Sequence, residues 1–216
     1  PGMAGLKTVL GNHDAGMIGH PQATWGVTWG NPIWEEAREV ALVAGRRAGT
    51  PDTAEASGIL LLNVTLNRDK RITGVFAGGL DEAHARGCAF VKQTAMVPVP
   101  RPFDIVVTTN SGWPLDLNLY QAVKGMSAAA RIVRPGGAIV VAAECRDGIP
   151  DPGSFSRLLR EARDLDELLA RIRTSGHLVD DQWEAQILAL VAGKADVYVH
   201  ADGLTPGEIA MAKLRP

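Results

Sequence analysis

Short apolar runs alternating with helical periodicity constrain this chain most. Beyond residue 103, three runs read as buried strands: Asp104–Thr109 (DIVVTT), Ala138–Ala143 (AIVVAA) and Ala195–His200 (ADVYVH). Helical segments separate them, over Ser154–Arg160, Leu165–Thr174 and Asp181–Ala192 among others. Strands joined through helices pair in parallel by right-handed crossovers, because a hairpin turn cannot connect parallel neighbours. The predicted class is therefore α/β, with a three-layer, Rossmann-like domain built on a mainly parallel sheet.

The first crossover carries the chemistry-bearing residues. Asn110-Ser111-Gly112 turns the chain at the strand's carboxyl end, and Pro114 is expected to open a helix, where its missing N–H costs nothing. Leu119, Ala122, Val123, Met126, Ala130 and Val133 recur at helical spacing and should face a core. Gln121 and Lys124, three apart, share a face beside that stripe. The carboxyl ends of strands in open α/β sheets are where ligands bind, and helix N-termini there attract anions. An ordinary strand–turn–helix unit with a solvated glutamine and lysine has the same pattern. Arg134-Pro135-Gly136-Gly137 should end this helix. In the segment Asp181–Ala192, Trp183, Ile187, Leu190 and Val191 are expected to point inward.

Three prolines within Val97–Pro102 form a stiff extended connector that neither helix nor sheet accommodates. A domain junction is placed there, dividing the chain into 1–98 and 99–216. Upstream, Pro1–His13 reads as a turn and short helix ending in Asn12-His13. His20–Pro32 reads as a loop. Trp25, Trp29 and Trp34 cluster there, either as core packing or as the lining of an apolar pocket or interface. Pro32–Arg47 has helical spacing, and Thr50–Ser57 is a polar loop. Gly58–Leu66 and Arg71–Ala77 form a hairpin around a four-residue turn, and Leu80–Thr94 is a helix bearing His84 and Cys88 on one face. Two residues are too few for a metal site on their own.

Composition narrows the function classes. A net charge of −2 over 216 residues gives no basic surface for nucleic acid. No apolar run approaches membrane-spanning length, and the first residues lack the pattern of a secretory leader. Two cysteines in no paired spacing fit buried thiols in a reducing, cytoplasmic setting. The phosphate-loop and G-x-G-x-x-G turns are missing, as is the G-x-S-x-G elbow. His13 is either structural or a ligand; a neutral imidazole is the commonest side-chain donor to nickel-like metals.

Three motifs in fixed order, PGMAGLKTVLGNH, ITGVFAGGLDEAHARGC and SGWPLDLNLYQAVKGM, closely resemble the nickel-pincer-nucleotide-dependent lactate racemase family over nearly the whole chain. The resemblance implies racemisation or epimerisation of a small, lactate-like 2-hydroxy acid, by hydride removal from C2 and return to either face. The implied cofactor is a nickel-pincer nucleotide tethered to a lysine. His13 matches the family's nickel-binding histidine, with the other donors coming from the cofactor. Gln121 and Lys124 match residues facing the substrate, and Lys124 would pair with its carboxylate. Tyr120 and Trp183 resemble residues that close the pocket.

Where relatives commonly read GNP-x-HE, this chain reads Gly30-Asn31-Pro32-Ile33-Trp34-Glu35, with Trp34 replacing the histidine. In relatives the tethering lysine lies just before the residues matching Pro1-Gly2, and two acid–base histidines lie further upstream; Lys7 falls after that point and is no substitute. The resemblance therefore implies a fragment, inactive alone, missing the N-terminal part and the extreme C-terminus. It places residues 1–98 at the end of a cofactor-binding domain and 99–216 in an incomplete Rossmann-like domain. The site is expected in a cleft between the two, closed by hinge motion. Implied partners are the hydroxy acid and cofactor-maturation proteins. Two other readings remain: a non-catalytic α/β module of the same family, and a nicotinamide-dependent dehydrogenase-like domain, which the missing glycine-rich turn disfavours.

Overall fold

The computed structural model describes residues 11–47, 59–151, 153–174 and 179–216. Most of the segment Pro1–His13, and the Thr50–Ser57 loop, lie outside them. The chain forms two compact units. One joins the segment ending at His20 with Val99–Pro216, and the other is Pro21–Pro98. One edge between the units falls in the proline connector, and His13 belongs with the segment that follows the connector. The reason is long-range packing that no local pattern encodes. The short helix α1 (Ala15–Gly19) lies against helix α7 (Gln182–Lys194).

Within Pro21–Pro98, helix α2 (Pro32–Arg47) matches its expected span. Asn31 accepts from the Ile33 N–H at 3.1 Å, and Glu35 reaches back to the Gly30 N–H at 2.7 Å, so both ends of the turn are satisfied. Strands β1 (Leu60–Leu66) and β2 (Ile72–Gly79) form the antiparallel hairpin, backed by helix α3 (Leu80–Ala95). Arg38 clamps Asp81 through both oxygens at 2.7 and 2.6 Å, holding that carboxyl below its ordinary range through the guanidinium's hydrogen bonds. Trp34 packs between Trp29 and His84, but Trp25 and Trp29 are exposed, so they are not core residues. His84 and Cys88 touch at 3.6 Å.

In the other unit, β3 (Phe103–Thr109), β4 (Val133–Ala142) and β5 (Asp196–His200) make a parallel sheet in the order β3-β4-β5. Helices α4 (Leu119–Ala129) and α7 cover one face. Beyond α7 lie α1, α5 (Ser154–Glu161) and α6 (Leu165–Thr174). The opposite sheet face carries exposed Ile105, Val107 and Tyr198. Helix α8 (Pro206–Met211), closed by a Thr205–Glu208 capping box, leads to Arg215, which pairs in parallel with Tyr198.

Three local expectations need correction. The helix after β3 begins at Leu119, not Pro114, because Asn118 supplies the cap by accepting from the Gln121 N–H at 3.0 Å. Pro114 instead follows a cis peptide bond within a turn. Arg134–Gly137 is the start of β4 rather than a helix end; Gly137 can pass there because any Cβ would stand 2.7 Å from the Asp104 carbonyl oxygen. Leu190 is 40% exposed, while Ala185, Leu188 and Ala189 take the interior. The α4 stripe is as expected, with Leu119, Ala122, Val123 and Met126 fully buried.

Candidate functional site

The loops after β3 and β4 are knitted together at the carboxyl edge of the sheet. The Cys145 N–H donates to the Asp116 carbonyl at 3.0 Å, Asp147 to Leu117 at 2.9 Å, and Leu119 to Gly148 at 3.0 Å. The buried Asp116 side chain adds a bond from the Glu144 N–H at 2.9 Å. These bonds fix the first turn of α4, from which Tyr120, Gln121 and Lys124 project. Gly125 lets the same helix approach β3 closely. Burial, with the Asp116 charge second, raises the nearby Cys145 thiol to about 11, so it stays protonated and inert.

The five residues singled out from sequence form one unbroken chain of contacts. The His13 ring meets Trp183 edge-on, 5.4 Å between centroids. Trp183 donates its indole N–H to the Tyr120 hydroxyl at 2.9 Å. The Lys124 ammonium lies 5.9 Å from the centre of the Tyr120 ring and donates to the Gln121 carbonyl at 2.7 Å. Phe155, fully buried, braces Tyr120 at 5.4 Å. All of these residues stand in one compact unit. The expectation of His13 in one lobe and Lys124 in the other is thereby corrected: the α1–α7 contact carries His13 to the α4 side chains.

Two acidic residues join the site that the sequence reading did not single out. Asp181 precedes α7 with a left-handed backbone, φ 63°, and its charge acts on the Tyr120 phenol. The phenol accepts from Trp183. Burial foremost, then the acidic neighbours, push Tyr120 up to about 12, so it remains a neutral donor. Glu184 is 4% exposed, and its Oε1 has no hydrogen-bond partner among the described residues. Burial pushes Glu184 up to about 7; the Lys124 ammonium pulls it down and Asp181 raises it again. Both acids sit within DDQWE, which reads like an ordinary solvated helix start. Only their flanking of Trp183 hinted at the site.

A family model described as the lactate racemase C-terminal domain matches residues 99–215. The chain belongs to the lactate racemase family. The lactate racemase of Thermoanaerobacterium thermosaccharolyticum is 38% identical over 193 residues, which is 88% of this chain and 42% of that protein. The lactate racemase of Lactiplantibacillus plantarum is 38% identical over 208 residues, 95% of this chain and 46% of that protein. The solved structure of the lactate racemase apoprotein from T. thermosaccharolyticum matches with a TM-score of 0.87 at 35% identity, covering 100% of this chain and 49% of that one. The chain therefore spans somewhat less than half the length of these lactate racemases. The α/β class with a parallel sheet is that of the family. Among the described residues no helix is long and apolar enough to cross a membrane.

Proposed function

We propose that this chain contributes the substrate-binding side of an isomerase that inverts C2 of a small 2-hydroxy acid such as lactate. The observation that carries the reading is the continuous array His13–Trp183–Tyr120–Lys124–Gln121, assembled from three separated segments. An exposed ammonium beside a polar amide, at the carboxyl edge of a parallel sheet, suits a small carboxylate.

Lys124 is proposed to bind the substrate carboxylate as a point charge, with Gln121 donating its amide to a second oxygen. Releasing Gln121 from Lys124 lets each address the ligand. Tyr120 and Trp183 wall the site and exclude water, which strengthens the Lys124 attraction for an anion. The neutral phenol holds Trp183 in register.

The family's resemblance brings a nickel-pincer nucleotide, and the residues present fit one. Among the described residues no group of three or more His, Cys, Asp or Glu side chains converges to hold a metal. A lone imidazole suits a metal that arrives with its own donor atoms, and His13 is the residue assigned to it. When bound, such a group supplies hydride-acceptor chemistry at C2, where direct deprotonation is difficult. The tethering lysine and the acid–base histidines are assigned outside these 216 residues, so this chain alone is expected not to racemise lactate; measurable racemisation by it alone would overturn that assignment.

The test uses full-length protein containing this chain, produced together with cofactor-maturation proteins. Chiral chromatography should show interconversion of D- and L-lactate or a related hydroxy acid, and its loss in Lys124→Ala. Undiminished turnover in Lys124→Ala would refute the assignment.

A further inference from the structure

Helix α7 holds the His13 segment through an aromatic contact and a polar one. Trp183 meets the His13 ring. One turn further on, Gln186 donates its Nε2 to the Ala15 carbonyl at 2.9 Å, linking backbone two residues past His13 to a position 171 residues away. Gln186 is fully buried, and its Oε1 has no hydrogen-bond partner among the described residues. A half-satisfied amide in a core is destabilising, and an aliphatic side chain of equal length would avoid that penalty. The orientation of the amide is dictated by its partner, since a carbonyl oxygen accepts from Nε2 and repels Oε1. Gly19, at the far end of α1, packs against the same amide: a Cβ there would stand 3.4 Å from Nε2. The cap of α1 is local, from Asp14 to the Met17 N–H at 2.7 Å, and does not by itself locate the helix.

We propose that Gln186 is a positioning residue for His13, fixing the backbone that presents the imidazole so that the ring stays against Trp183. The functional consequence rests on the reading of His13 as the cofactor's ligand; the positioning itself does not. A hydrogen bond to one carbonyl sets the height of α1 along α7, and the ring contact sets its rotation.

The test compares the chain with its Gln186→Met variant, which keeps the side-chain length and removes both polar atoms. In the unsubstituted chain, nuclear Overhauser contacts between the Gln186 amide protons and Ala15, and between the His13 and Trp183 rings, should be present. In Gln186→Met, thermal stability should hold while the His13–Trp183 ring contacts are lost and the His13 ring resonances shift. In cofactor-loaded full-length protein, kcat should fall with KM for the hydroxy acid unchanged, because Gln186 acts on the cofactor side. Retained ring contacts in a folded Gln186→Met variant would overturn the proposal. If that variant does not fold, lack of the Gln186–Ala15 contacts in the unsubstituted chain overturns it, and their presence upholds it. A separate measurement, nickel retention by the full-length protein carrying His13→Ala, addresses the ligand reading: retention refutes that role without touching the positioning result.

Discussion

The Trp183 indole and the Tyr120 hydroxyl, 63 residues apart in sequence, share a 2.9 Å hydrogen bond that ties α7 to the first turn of α4. Tyr120→Phe is expected to cost about 1–3 kcal/mol, because the half-buried indole N–H loses its partner. Trp183→Phe should cost less from hydrogen bonding alone. A double-mutant cycle by chemical denaturation should give a coupling of about 1 kcal/mol; zero coupling would mean that the bond does not hold the two helices.

Glu184 makes stability depend on pH in an unusual direction. Its ordinary value is 4.5, and burial lifts it to about 7 in the folded chain. Between those values the folded state binds more protons than the unfolded one, so stability falls as pH rises through the window and levels off above it. The full effect is about 3 kcal/mol by linkage. Glu184→Gln should flatten the dependence, matching the parent near pH 5 and exceeding it near pH 8 in thermal unfolding. A parent profile that rises between about pH 5 and about pH 7 because of Glu184 would contradict this.

Gly125 is buried within α4, and a Cβ at that position would stand 2.5 Å from the Thr109 carbonyl oxygen. Alanine in a helix ordinarily gains about 1 kcal/mol over glycine. Here a backbone oxygen stands in the way, so Gly125→Ala should instead destabilise by about 1–3 kcal/mol. A rise in melting temperature would show that α4 sits farther from β3.

Lys124→Met removes the charge but keeps the stem that lies along Tyr120. In cofactor-loaded full-length protein, KM for the hydroxy acid should rise by about tenfold to a hundredfold, the worth of one charge-assisted hydrogen bond. The variant should also raise Glu184 further, since the ammonium that favours its charged form is gone. Unchanged KM would place the substrate carboxylate elsewhere.

Local periodicity made the elements legible: the stripe from Leu119 to Met126, the hairpin and the three parallel strands all follow from short-range pattern. Element boundaries were less legible. Pro114 carries a helix-start signal, yet Asn118 competes with it, and the loop bonds of Asp116 give Asn118 the cap. The family resemblance named all five candidate side chains, but not their arrangement. The His13 segment reaches the others through a ring contact and the Gln186–Ala15 hydrogen bond across most of the chain, and nothing near His13 encodes either. Glu184 and Gln186 escaped notice because burial of a polar side chain is decided by neighbours far away in sequence. In a helix packed on several sides, polar residues look like solvated ones.

That multi-sided packing also sets where specificity is free to change. Trp183, Glu184 and Gln186 lie in the first two turns of α7, which packs against the sheet and four other helices. A substitution that tilts α7 moves the aromatic wall, the buried acid and the tether of His13 in concert. Retuning the site for a bulkier or more polar acid is therefore expected to proceed through Tyr120 and Gln121, whose helix face opens onto solvent, while α7 behaves as a fixed datum.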